Sequence, residues 1–222
     1  MVLKIKNIYH MDFTKRLKKY SEVPLTRYVI LDLLADYQRP NDKISELIKN
    51  KELVAIKRGL YIAGPETELP TPEPFLIANH LRGPSYVSLE SALAYWNMIP
   101  ERVYEISSVT IKPSKTYITP IGRFSFTHLK TPYYSYGIKN IVNNSKQSIL
   151  IASPEKALCD KIILTSNINL RSVKQTRDFL LEDLRMDYEI LSTLDTKTID
   201  LWINNAPKKE SLKMLVKTLV EL

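Results

Sequence analysis

The chain has 222 residues, 44% of them hydrophobic and 25% charged, and this excludes a disordered or low-complexity protein while leaving ample apolar material for one or two packed domains. Lys and Arg number 32 against 24 Asp and Glu, a net charge of +8 with a pI near 9.3, which favours a polyanionic partner by counterion release, although many basic proteins bind no nucleic acid. No apolar stretch approaches the ~18 residues of a membrane helix, and Met1 to His10 carries charges inside its apolar run without a cleavage signature. The expectation is a cytoplasmic protein with no membrane partner.

The basic excess is uneven. Residues 1–64 hold 13 basic and 7 acidic side chains, a net of +6, which leaves only +2 for the rest. Lys4, Lys6 and Lys15-Arg16-Leu17-Lys18-Lys19 form an amino-terminal basic run that either follows a phosphate backbone or is a solvated helix face, and residues 7–20 read as a helix. Pro24 is expected to open a second helix, with Val29, Ile30, Leu33, Leu34 and Tyr37 at helical spacing up to Arg39-Pro40.

Asn41 to Lys51 reads as a short amphipathic helix. Asn41 is a good N-cap, and Ile44, Leu47 and Ile48 are expected to face a core, which turns Asp42, Ser45, Glu46, Lys49 and Asn50 outward. Leu53 to Ala63 then alternates as a half-buried strand pair that reverses at Lys57-Arg58-Gly59, where glycine tolerates a positive φ. A helix running into a basic-tipped hairpin is the means by which a winged helix meets DNA. The helix offers side chains to a groove and the wing lays cations beside phosphates. On this reading Lys49 and Asn50, with Ser45 beside them, read bases, while Lys43, Lys57, Arg58, Lys18 and Lys19 contact the backbone. The bland alternative is a helix and hairpin used only for packing. Only Gln38, Arg39 and Pro40 separate the two helical segments, so the middle helix of a usual helix-turn-helix is expected to be missing or reduced.

Pro65, Pro70, Pro72 and Pro74 then fall within ten residues among acids, a composition that reads as an extended linker over residues 65–74. The expected division is a winged-helix-like domain over 1–64, that linker, and an α+β domain over 75–222. In the second domain, helices are expected at Pro74 to Leu81 and, capped by Ser88, through Trp96. Strands are expected at Val103 to Ile111, Tyr117 to Ile118, Arg123 to Leu129 and Gln147 to Ala152, forming a mainly antiparallel sheet. Ser153-Pro154-Glu155 is a complete helix start, and helical patterns continue at about 172–185, 188–194, 197–204 and 211–222.

Signs of chemistry are few. Ser85, Tyr86, Ser88 and Glu90 cluster, but a core tyrosine and an acid at a helix start account for them. Glu155, Lys156 and Asp160 lack the preceding acid of a nuclease site. Tyr133, Tyr134 and Tyr136, with Lys130 and Lys139, are the best second-domain candidates for stacking unpaired bases, against a strand edge with half-buried rings. His10, His80 and His128 are far apart, five single glycines leave no phosphate-cradling loop, and no nucleophile elbow is present. Cys159, in the run Ala157-Leu158-Cys159, reads as a buried structural thiol. Neither catalysis nor a cofactor or metal is expected.

In order and spacing, Ser85-Tyr-Val-Ser-Leu-Glu-Ser-Ala-Leu93, Ile99-Pro100-Glu101, Ser108-Val-Thr110, Gly122-Arg-Phe-Ser-Phe126 and Ile151-Ala-Ser-Pro-Glu-Lys-Ala-Leu-Cys-Asp160 resemble the AbiEi-type antitoxins of bacterial type IV toxin-antitoxin systems. Arg58-Gly59-Leu60-Tyr61 looks like the end of that family's winged domain. The resemblance implies a transcriptional regulator whose winged helix binds operator DNA and represses its own operon, and whose second domain is needed for antitoxicity. It also implies a nucleotidyltransferase-like toxin, countered without a required stable complex. Two other readings stay open: an RNA- or nucleotide-binding module, and a protein-interaction domain with a vestigial winged helix. The sequence fixes no oligomeric state, since operator symmetry asks for a dimer or two adjacent molecules and no heptad seam is present.

Overall fold

The computed structural model describes residues 13–144 and 147–222. Lys4, Lys6, His10 and the first half of the helix expected over 7–20 lie outside these residues. The chain divides into two compact units. One runs to Leu81 and includes Thr119–Ile121 and Val142–Ser148; the other comprises Arg82–Ile118, Gly122–Ile141 and Ile149–Leu222. The division therefore falls after Leu81 rather than within the proline-rich segment. Pro65–Thr67 winds into a 3-10 turn, closed by the Thr67 hydroxyl donating to the Gly64 carbonyl at 2.7 Å, and the Glu73 amide donates to Gln147 Oε1 at 3.0 Å. Proline removes a donor from the chain but leaves every carbonyl, so such a segment can still be tied down.

In the first unit, residues 13–17 are helical and bury Phe13 and Leu17. Next come β1 (Leu25–Thr26), α1 (Arg27–Leu33), α2 (Pro40–Lys49), β2 (Leu53–Lys57) and β3 (Leu60–Ala63). The three strands make an antiparallel sheet in the order β1-β3-β2. Pro24 does not open the second helix. The chain first pairs Leu25 with Tyr61 and Thr26 with Leu60, and Thr26 then caps α1 through Val29 N. A two-residue strand carries no periodicity to read, which is why it was not expected. In α2, Pro40 takes the first helical position and Arg39 the cap, displacing Asn41 into the first turn. Ile44 and Leu47 are buried, but Ile48 is 37% exposed, so the apolar stripe is narrower than its sequence spacing suggests. The core joins Phe13, Leu17, Leu25, Ile30, Leu33, Leu34, Ile44, Leu47, Leu53, Tyr61 and Ala63. The hairpin turns at Gly59, φ +85°, as expected. Gly64 is fixed for a different reason: a Cβ there would lie 2.1 Å from the Lys51 carbonyl oxygen. Beyond the 3-10 turn, α3 (Pro74–Leu81) is capped by Glu73, whose carboxylate accepts from Phe75 N and Leu76 N.

The second unit is built on a six-stranded sheet in the order β6-β7-β5-β4-β9-β8. Its strands are β4 (Ser85–Val87), β5 (Ile106–Thr110), β6 (Lys115–Thr119), β7 (Gly122–His128), β8 (Ile138–Asn144) and β9 (Gln147–Ala152). The mainly antiparallel expectation is corrected here: β5 runs parallel to β7 and β4 parallel to β9, so the sheet is mixed. The cause is the edge position of β6. The chain passes out to the edge through β6, so β7 comes back beside β5 in the same direction. The helices are α4 (Leu89–Tyr95), α5 (Pro154–Leu164), α6 (Val173–Asp178) continued by a π turn over Phe179–Asp183, α7 (Tyr188–Ser192), α8 (Thr196–Ile203) and α9 (Lys209–Glu221). Ser153 caps α5 as its sequence announces, accepting from Lys156 N at 3.2 Å. Among the described residues, no helix is long and apolar enough to cross a membrane.

Candidate nucleic-acid interface

In the first unit, α1, the first turn of α2 and the β2–β3 turn meet through polar contacts. The backbone N–H of Arg27 donates to the Gly59 carbonyl at 3.0 Å, which ties the start of α1 to the hairpin turn. Arg27 Nη2 also donates to Asn41 Oδ1 at 2.6 Å, joining α1 to the first turn of α2, and the Ser45 hydroxyl donates to the Asn41 carbonyl at 3.2 Å. A continuous run of contacts therefore links turn, α1 and α2.

Of the residues singled out in the sequence, Ser45, Lys49, Asn50 and Arg58 are exposed on this unit, as are Lys18 and Lys19. Asn50 caps the end of α2, and its amide donates to Glu52 Oε1 at 3.4 Å. Two of the expected phosphate contacts are engaged within the protein. Lys57, half-buried, donates its ammonium to the Leu81 carbonyl at the end of α3. Lys43 is paired with Glu46 at 3.2 Å and lies over the Tyr37 ring, 5.6 Å from its centroid. Both side chains thus begin from an intramolecular contact that binding to an anion has to break.

Arg27 and Asn41 belong to this face, with Tyr28 next to Arg27 in the chain, and sequence reasoning singled out none of them as a contact. Tyr28 is 84% exposed. Thr26 followed by an apolar-periodic run was a usable signal, because a threonine N-cap there starts α1 at Arg27 and brings Arg27 and Tyr28 to the surface. Arg39, with its side chain 86% exposed, stands 4.0 Å from Asp42.

The second unit holds its polar chemistry inside. Lys156 and Asp160, one turn apart on α5, are both fully buried and form an ion pair at 2.8 Å. Asp160 Oδ2 accepts from the Tyr86 hydroxyl at 2.9 Å and from Ser88 Oγ at 2.8 Å, while Lys156 Nζ donates to the Tyr133 carbonyl at 3.1 Å and sits 3.7 Å from the centroid of its ring. Ser88 was expected to cap α4. Its hydroxyl is spent on Asp160 instead, and no side-chain cap forms. Burial lowers the Lys156 pKa against the opposing pull of Asp160, and burial followed by Asp160 raises that of Tyr86. Cys159, next to this pair, is pushed up to about 12 by burial and then by Asp160, which makes it an inert thiol at neutral pH. The motif that resembles an active site ties α5 to β4 through Tyr86.

The aromatic candidates are likewise engaged. Tyr133 is buried, and Tyr136 stacks on Trp202 with an interplanar angle of 3° while accepting from Asn205. No group of three metal-ligating side chains occurs among the described residues.

The chain is thus a mixed α/β protein with a small three-stranded unit and a larger six-stranded one. It is similar in fold to a solved protein of Mycobacterium tuberculosis, RV2827C, with a TM-score of 0.64 over 96% of this chain and 77% of that one at 11% identity. At that identity the likeness is one of fold. No family model and no curated protein matches the sequence.

Proposed function

We propose that the protein is a DNA-binding transcriptional regulator that acts as the antitoxin of a type IV toxin-antitoxin system and represses its own operon. The order helix, β1, α1, α2 and hairpin, with β1 paired on the far side of β3, supports the winged-helix reading. The observation that carries it is the junction of α1, the first turn of α2 and the hairpin turn, where Arg27 and Arg58 are exposed and, among the described residues, carry no carboxylate partner; Lys49, at the last turn of α2, is exposed and without a carboxylate partner as well. Such cations release counterions from a duplex. Lys49, Ser45 and Asn50 are the base-reading candidates on α2, and Arg58 leads the backbone contacts.

Antitoxicity rests on the resemblance of the second unit's motifs. On that reading the functional partner is a nucleotidyltransferase-like toxin, opposed without a stable complex, and the active site lies in the toxin. The test is a reporter driven by the protein's own upstream region, combined with a gel shift on that DNA. Repression that Arg58→Ala and Lys49→Ala together abolish is the expected result. A reporter unaffected by the wild-type protein, with no shift of the duplex, overturns the proposal.

A further inference from the structure

Arg27 touches all three elements of the proposed DNA face. It begins α1, its backbone N–H is held by the hairpin turn through Gly59, and its guanidinium is held by Asn41 in the first turn of α2. Its hydrogen-bonding inventory is one-sided. A guanidinium has only donors, and the Asn41 oxygen accepts one of them, so the couple presents mainly donors, the remaining guanidinium N–H groups and the Asn41 amide hydrogens. Among the described residues no carboxylate pairs with Arg27, so its charge is left uncompensated on an exposed surface. A donor-rich cationic couple fits an acceptor-only anion. A duplex offers one at the boundary between two grooves, where a sugar-phosphate strand runs between the element seated in one groove and the wing beside it.

We infer that Arg27, oriented by Asn41, clamps a backbone phosphate between the α2 contact and the hairpin-turn contact; this rests on the DNA-binding reading above. Arg27 touches the ligand and Asn41 is a positioning residue. Fixed by both the turn and α2, the clamp sets the register of α2 along the groove.

The test measures fluorescence anisotropy of the full chain with its upstream duplex across salt concentrations. Arg27→Ala should reduce the slope of log affinity against log salt by about 0.9, the loss of one phosphate contact, and weaken related and unrelated duplexes alike. Arg27→Lys keeps the charge and should restore the slope. Asn41→Ala should weaken binding about threefold to tenfold, because the guanidinium must then be immobilised on binding. Asn41→Asp, which neutralises the guanidinium, should lower the slope as Arg27→Ala does, an effect that a merely structural Asn41 would not have. Thermal unfolding should be nearly unchanged in all four, since the pair is exposed. A slope unmoved by Arg27→Ala but lowered by Arg58→Ala removes the clamp and keeps the DNA-binding reading. A wild-type protein with no salt-dependent duplex binding overturns both.

Discussion

In the second unit, several cations end on partners, while others such as Arg171, Lys174 and Arg177 are exposed. Lys156 closes on Asp160, Lys161 on Glu90, Arg123 on Glu105 and Arg185 on Glu101, and the Lys208 ammonium donates to three carbonyls, Ile162, Thr165 and Ile168, at 2.8–2.9 Å. On the outer face of the first unit, Arg27, Lys49 and Arg58 carry no such carboxylate among the described residues. Net charge alone does not separate these situations. A lysine that is buried or bonded to carbonyls contributes to stability or to a fixed geometry, and only an uncompensated, exposed cation remains available to a polyanion. The comparison predicts that substitutions at these engaged second-unit cations act on unfolding and those on the first unit's face act on binding.

The largest expected effect is on stability. Asp160→Ala leaves the Lys156 ammonium buried without its counter-charge and should destabilise by about 3–5 kcal/mol in urea unfolding, whereas replacing both residues with apolar side chains of similar volume should recover most of that loss. Equal losses in the single and double variants would show that packing, not charge, governs the site. Lys208→Met removes the donor shared by three carbonyls and should cost about 1–3 kcal/mol by the same measurement. Alkaline pH gives a third handle. The Cys159 pKa stands at about 12 in the folded protein against an ordinary 9.0, so above pH 9 the unfolded chain releases a proton that the folded one keeps. That stabilisation is complete below pH 9 and is lost as pH rises from 9 towards 12, with a slope of at most about 1.4 kcal/mol per pH unit. Tyr86 and Tyr133, both raised by burial, push in the same direction, so Cys159→Ala should flatten the decline in thermal midpoint without abolishing it.

Smaller effects distinguish residues within the hairpin. Arg58→Ala should reduce the salt slope of duplex binding by about 0.9. Lys57→Ala should reduce it by less, because the Lys57 ammonium is already held by the Leu81 carbonyl. Equal reductions would mean that Lys57 leaves Leu81 on binding at no cost.

Much of the proposed DNA face, and the start of α5, was legible because the signals are local. The α2 amphipathicity, the positive φ of Gly59 and the Ser153-Pro154-Glu155 helix start each depend on residues within one turn of each other. What stayed hidden depends on distance along the chain. Ser88 spends its hydroxyl on Asp160, 72 residues away, and Lys57 finds its acceptor 24 residues on, at Leu81. Strand direction was equally out of reach: alternation in β5 and β7 marks both as strands but says nothing of β6 moving to the sheet edge, which makes them parallel. The Arg27 contact with Asn41 spans 14 residues and two helices, and no periodicity encodes it.

The most direct measurement is the affinity of the wild-type protein for its own upstream duplex, titrated against salt beside a scrambled duplex of equal length. The account predicts binding that falls steeply and linearly on a log-log plot, tighter for the upstream sequence, with a slope that decreases stepwise in Arg27→Ala and Arg58→Ala. Weak binding indifferent to salt, or equal affinity for single strands, would contradict it.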